Sequence, residues 1–455
     1  MSNLVLSSVR TYKEILQNTV SSVSLRKAWH EAFWVFVGQA GTAIGGLIGV
    51  KLLTHVLIPA EYGKLALANT IVALIGTNLF GPIGQGIGRY WSICSDRGDL
   101  DVFYKVSSYL SRIVSLCALL MCGVGLLLFI GVSHWTNWTI LVGLALVVGI
   151  VLGNISIKVG VFTAARQRRR TALLNISNNF LRPLMAVILI VLTIRKAEVA
   201  LGGHLVAALI ILFAVEMLYL KNVSEVSLSG SNSTRLSLKI AISEGVSKEI
   251  LTYSWPFLVW GIFSWVHMSC ARWSLQVFHG SAVVGAFAVV SILAMYPLSF
   301  GSGFLTTLLT PIAFQRAGAL KDSESISFAY KILIGMTGVY ILGLVGLIGL
   351  FSGFHNSLVM FISDARYVKY SYLLPWLTLA WGLFYFGQVT SSFGLLANRP
   401  HSYIAPKITS AIVAGVATFY LSYKVGPAGV VAGLGLAGFV YALWCCVIAL
   451  RVLKM

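Results

Sequence analysis

The sequence predicts an all-α polytopic membrane protein, with about twelve transmembrane helices in two parallel six-helix halves. Three observations predict it. Hydrophobic residues fill 58% of the 455 positions and charged residues only 10%, against about 25% charged in soluble proteins. Twelve segments are apolar over roughly the 20 residues that a spanning helix needs. A stretch around residue 60 returns in altered form around residue 282.

In chain order, the first span (33–58) carries Gly41, Gly45 and Gly49, a four-residue spacing that lets another helix approach closely. The second (65–88) closes with GPIGQGIG. Its glycines read first as packing residues and second as a bend at Gly81-Pro82 that moves during transport. No βα turn precedes them, so they are not a dinucleotide fingerprint. The third (107–132) and fourth (137–163) flank Trp135 and Trp138, an interfacial pair. The fifth (171–194) follows Arg168, Arg169 and Arg170, and the sixth (199–220) holds Glu216. The Ser-rich, charged stretch 221–253 is the expected linker. The seventh to twelfth run over 254–278, 282–310, 327–352, 371–396, 403–423 and 428–450. The expected domains are a basic N-terminal segment (1–32), a first lobe (33–220), the linker (221–253) and a second lobe (254–455).

The halves are linked by a repeat. LTHVLIPAEYGKLALA (53–68) aligns with LQVFHGSAVVGAFAVV (275–290), which puts Gly63 and Gly285 in register 222 residues apart. Six helices per half return the chain to its starting side, so the repeats are parallel. Such repeats are a transporter architecture with the site at their interface.

Net charge is +19, from 33 Lys+Arg and 14 Asp+Glu. With the N-terminus inside, 21 of these cations fall in inner segments, Lys407 among them, and 6 in outer ones. That is a positive-inside pattern with both termini cytoplasmic, and it removes nucleic acid as the reason for the charge. No compact apolar core with a small-residue cleavage site opens the chain, so no cleaved signal peptide is expected. The six cysteines show no metal-ligand spacing; neither a metal nor a cofactor is expected.

Six cations remain inside helices: Lys51, Arg112, Lys158, Arg182, Arg272 and Lys331. Each costs about 2.5–3.5 kcal/mol at mid-bilayer on insertion scales. Arg112 and Lys331 lie near the inner ends and read as snorkelling to the interface. Lys158 reads equally well as snorkelling or lumenal. Lys51, Arg182 and Arg272 read as lining a wet cavity that takes an anion. Lys51 and Arg272 precede Gly63 and Gly285 by 12 and 13 residues, which makes them a pseudo-symmetric pair. Glu216 reads first as an interfacial carboxylate near Lys221, and it is the coupling candidate if transport uses a proton or sodium relay.

The stretch VLIPAEYGKLALANTIVALIGTNLFGPIGQGIGRYW (56–91) resembles the first-hairpin signature of polysaccharide flippases, through Glu61, Tyr62, Gly63 and Arg89. TYSWPFLVWGIFSWVHMSCARWSL (252–275) is similar to the opening of that family's second lobe. These flippases, which serve O-antigen, capsule and exopolysaccharide synthesis, share a superfamily with multidrug exporters. The resemblance implies a V-shaped cavity between the lobes, opening alternately to each side. It implies transport of undecaprenyl-pyrophosphate-linked oligosaccharide across the bacterial inner membrane, by a protein that is not an enzyme. Lys51, Arg182, Arg272 and Lys158 would meet the anionic head group, and Arg89 would help capture it at the inner mouth. Membrane lipid surrounds such a protein. The polymerase and chain-length machinery of the pathway are its expected partners, and a monomer is expected. Two alternatives stay open: a cation-coupled multidrug exporter of the same superfamily, and a membrane enzyme, such as a polymerase, of the same pathway.

Overall fold

A computed structural model describes residues 22–132, 138–229, 236–317, 323–397 and 399–453. Among these, twelve long helices follow one another: α1 (Ser22–Val56), α2 (Pro59–Arg97), α3 (Leu100–Val132), α4 (Thr139–Ala164), α5 (Arg168–Leu192), α6 (Ala197–Ser229), α7 (Leu236–His279), α8 (Ser281–Ala317), α9 (Ser323–Ile362), α10 (Leu374–Leu396), α11 (Ile404–Val425) and α12 (Pro427–Leu453). Ten are long and apolar enough to cross a membrane. With twelve crossings, the ends of the chain share one face, the terminal face; the opposite face is the distal one.

The distal turns are tight because the sequence supplies the breakers. Ile58 is extended and Pro59 starts α2, where a missing N–H goes unnoticed. Gly280 and Gly426 take positive φ (80° and 81°) between α7 and α8 and between α11 and α12, a region closed to most side chains.

The helices overrun the apolar spans. α6 continues to Ser229 and α7 begins at Leu236 with a length of 44 residues. The expected linker is therefore mostly helix; of it, only 230–235 lies outside the described residues, as do most of the expected N-terminal segment (1–21) and Trp135. Apolar runs mark the bilayer, but a helix propagates into water until something breaks it. The bend in α2 also differs from expectation. It is a π-helical turn at Gly76–Phe80, one turn before Pro82. Pro82 cannot donate to the carbonyl of Asn78, and the wider turn accommodates its ring. The glycines beyond Gly81 continue as ordinary α-helix.

Helix pairing repeats between the halves. α1 packs on α5, α5 on α6, α6 on α4, α4 on α2 and α3; α7 packs on α11, α11 on α12, α12 on α10, α10 on α8 and α9. The glycine ladder of α1 serves this packing: Gly41, Gly45 and Gly49 face Ile176, Phe180 and Pro183 of α5. The halves meet through α2 against α7 and α8, and through α1 against α8. Gly63 and Gly285, aligned by the repeat, touch each other across this interface. A methyl at Gly63 would lie 2.9 Å from the amide nitrogen of Gly285, and one at Gly285 would lie 3.0 Å from that of Gly63.

The α2–α7 seam is fastened along its length. The indoles of Trp265 and Trp273 donate to the carbonyl and hydroxyl oxygens of Thr70 (2.7 and 2.9 Å), and Arg97 pairs with Glu249 at 3.6 Å. The α1–α8 seam is closed by rings: Phe36 meets Phe300 and Phe304 edge-on, both at 5.8 Å, and Gly46 lies under Tyr296.

Candidate functional site: two arginines around a central tyrosine

Two of the predicted cations act on one tyrosine at the centre. Arg182 of α5 and Arg272 of α7 are half-buried, and both act electrostatically on Tyr296 of α8; Arg272 also acts on Tyr62 of α2. Arg182 donates through Nη2 to Asn69 Oδ1 (3.3 Å), and the same nitrogen lies 3.5 Å from His204 Nδ1. These are long contacts, and the buried Nε of Arg182 has no partner. Arg272 makes no hydrogen bond or ion pair among the described residues. A guanidinium carries five N–H donors, so most of the donors here are unspent. Among the described residues no carboxylate acts on either group.

Tyr296 also lines a cavity of about 460 Å³ between α1, α5 and α8. Trp34 and Arg168 stand at its terminal end, and Gln39, Thr42 and Asn175 line its wall. The side-chain oxygen of Gln39 is buried without a partner. The cavity carries polar side chains among apolar ones, reaches from the terminal side to mid-membrane, and includes the tyrosine on which both guanidiniums act; neither guanidinium lines it.

The other predicted residues lie elsewhere. Lys51 donates to the carbonyl oxygen of Phe361 at the end of α9 and stacks over that residue's ring at 5.6 Å. The expected pair of Lys51 with Arg272 is thus corrected: a helix C-terminus attracts cations, and Lys51 serves one. Lys158 is not a central cation. It is buried between α3, α4 and α6, pairs with Glu216, and lies 5.9 Å from the Tyr219 ring. Glu216, 58 residues away in sequence, supplies the compensation that the sequence hid. Glu216 therefore faces Lys158 and not the central cavity. Arg89 is exposed on α2, about two turns from its terminal end, and does not line the cavity. Arg112 and Lys331 are exposed.

The pair invites a test. Lys158→Met strands a partly buried carboxylate and should destabilise the protein by about 1–3 kcal/mol, less than a fully buried pair because Glu216 is 40% exposed. Adding Glu216→Gln should restore most of the loss in a thermal unfolding scan. Failure of the double variant to recover would separate the two residues.

A family model described as polysaccharide biosynthesis protein matches residues 28–316, well over half the chain. The chain belongs to this family. No curated protein matches it. Its fold is that of known transporters. An inward-facing multidrug resistance MATE family transporter of the MOP superfamily superposes with a TM-score of 0.65 at 14% identity, over 93% of this chain and 96% of that one. A point mutant of the Vibrio cholerae MATE transporter VcmN gives 0.62 at 13% identity over 94% and 97%. A MOP superfamily transporter from Pyrococcus furiosus, described as having a binding pocket of reverse polarity, gives 0.56 at 14% over 93% and 95%.

Two features of this polysaccharide biosynthesis protein escaped the sequence. Lys407, counted as a loop cation, is buried in α11 with its ammonium 4.4 Å from the Trp260 ring centre and 5.8 Å from those of Phe384 and Tyr441. The aromatic richness of α7 and α10 was the one signal for it. The second is a distal clasp. The short 3-10 helix Ala365–Leu373 begins at Asp364, whose carboxylate accepts from the Arg366 amide (3.0 Å) and Nε (2.7 Å). Arg366 Nη2 donates to the carbonyls of Thr54 (3.0 Å) and His55 (3.2 Å) at the end of α1, and the Tyr367 hydroxyl donates to Leu57 O (2.9 Å). The Tyr62 ring meets the Tyr367 ring edge-on at 5.7 Å. Together these close the distal face.

Arg366, by side-chain and then backbone hydrogen bonds, holds the Asp364 carboxyl below the usual carboxylate range. A depressed carboxyl stabilises above its ordinary pKa of about 3.9 and loses that contribution as pH falls through the lowered value. The part of the clasp that Arg366 and Asp364 make should therefore loosen as pH falls below about 4. Spin labels at Val56→Cys and Tyr372→Cys would report it. Distances that stay unchanged down to about pH 3 would contradict this assignment.

Proposed function

We propose that this protein is a flippase that moves lipid-pyrophosphate-linked oligosaccharide across the bacterial cytoplasmic membrane by alternating access. One observation carries the reading: Arg182 and Arg272, on which no described carboxylate acts, both act on Tyr296, which lines the central cavity. A planar guanidinium recognises phosphate through two parallel N–H bonds, with a geometric fit that lysine lacks. Two such groups acting on one ring suit a pyrophosphate. The closed distal face and the cavity toward the terminal side suit a state that loads cargo from the side of the termini; the positive-inside pattern supports reading that side as cytoplasmic. Lipid-linked oligosaccharide is then the partner within the membrane. The pathway's polymerase and chain-length machinery are its protein partners.

The multidrug transporters of like fold favour a second reading, export of drugs. A cationic drug needs a carboxylate at the site, and among the described residues none acts on the central guanidiniums. Complementation separates the two. The protein should restore surface polysaccharide in a flippase-deficient strain and leave drug susceptibility unchanged. Raised drug resistance without restored polysaccharide would reject the flippase reading.

A further inference from the structure

Outside the central cavity, a second polar cavity of about 420 Å³ opens between α3, α4 and α6. It shares no lining residue with the central one. Three faces build it at helical spacing: Lys105, Ser108 and Arg112 on α3, Asn154 and Lys158 on α4, and Glu216 and Tyr219 on α6. Lys158 and Glu216 neutralise each other. Lys105 and Arg112 are exposed and make no hydrogen bond or ion pair among the described residues. The cavity therefore carries two unspent positive charges, while the hydroxyls of Ser108, Ser111 and Tyr219 already donate within the protein.

Its depth is fixed three times over. α3 is free of charged residues over 113–132, α4 over 139–157 and α6 over 199–215. At 1.5 Å per residue these runs measure about 26–30 Å, close to the thickness of the hydrocarbon core. Each run ends, on the terminal side, at a residue of this cavity: Arg112, Lys158 and Glu216. The charged groups thus stand at the boundary between acyl chains and head groups of one leaflet.

The cavity faces lipid. Tyr109 is 59% and Leu220 58% exposed at its rim. Toward the membrane centre the same faces continue as exposed Leu116 and Leu120 on α3 and Phe213 and Met217 on α6, an apolar track. A ligand here is held by a cationic pocket at phosphate depth and by apolar surface below it.

We infer that this cavity binds the head group of an anionic glycerophospholipid of the bilayer. Its phosphate sits between Lys105 and Arg112, and its chains run along the α3–α6 track. Basic pockets between transmembrane helices bind anionic head groups in this way. The lipid would bridge α3, which packs on the bundle through few neighbours, to α6.

The test uses the purified full chain in a neutral detergent. Thermal midpoints are followed as phosphatidylglycerol, phosphatidylcholine or inorganic phosphate is titrated in, since a ligand of the folded state raises the midpoint. Phosphatidylglycerol should bind with an apparent affinity on the order of tenfold above phosphatidylcholine, and Lys105→Gln/Arg112→Gln should erase that preference. Both side chains are exposed, so the variant should fold; Arg451→Gln, an exposed cation on α12, should keep the preference. Four results would overturn the inference: equal binding of the two lipids, a preference that survives the double variant, an equal loss in Arg451→Gln, or a shift by inorganic phosphate as large as that by the lipid. Displacement of phosphatidylglycerol by a polyprenyl phosphate would assign the pocket to cargo, and would overturn it too.

Discussion

Replacing Arg272 by alanine is expected to lower translocation per molecule by at least tenfold, and replacing Arg182 and Arg272 together should abolish it. A hydrogen bond to a charged partner contributes about 1.5–3 kcal/mol, which is roughly ten- to over a hundredfold in an equilibrium. Arg272 has no hydrogen-bonding partner among the described residues to lose, so its removal should leave the thermal midpoint in place. Arg182 touches Asn69 and His204 only through long contacts, so its loss should be mildly destabilising. Arg272→Lys keeps the charge without the fork and should fall between wild type and alanine. The measurement is translocation of labelled lipid-linked oligosaccharide in proteoliposomes, normalised to protein. Wild-type rates in both alanine variants would remove the guanidiniums from the transport path.

A second large effect is expected at Gly63. Any Cβ there strikes the Ser281 carbonyl oxygen and lies 2.9 Å from the Gly285 amide. Both obstacles are backbone, so no side chain can swing aside, and α2 and α8 must separate. Gly63→Ala should therefore open the distal face that the clasp otherwise closes, and Gly63→Val should hold it open and stop turnover. Labels at Val56→Cys and Tyr372→Cys should move apart in both variants. Gly88→Ala, where a methyl meets nothing within 4 Å, should do neither. Unchanged distances in Gly63→Val would show that the contact does not control the distal face.

Much of the architecture could be read from the sequence, because hydrophobicity alone dictates where helices cross a bilayer. All twelve spans were visible, and so was the register of Gly63 with Gly285. The helix ends were not, since α6 and α7 extend as polar helices beyond the membrane, where apolar counting is blind. The site was legible by residue type and only partly by place. Arg182 and Arg272 were found because arginine in mid-helix is rare. Lys158 was misplaced because its partner lies two helices away, and pairing across helices leaves no mark in linear order. Lys51 was misplaced because the carbonyl it serves belongs to the backbone, which has no sequence signature. Lys407 hid for the opposite reason: an aromatic cage looks like any other apolar run.

The two seams between the halves are unequal, and this has a mechanical consequence. Indole and ion-pair stitches along α2 and α7 make a spine, while α1 and α8 are held by edge-on rings with no directional bond among those described. Rings slide and part more readily than hydrogen bonds break. A rocking motion would then pivot on the spine and breathe at the opposite edge. A head group crossing inside the protein could trail its lipid chain through that edge, as a card is drawn through a slot. The passage would be one-sided: the cargo enters and leaves along the same flank of the molecule.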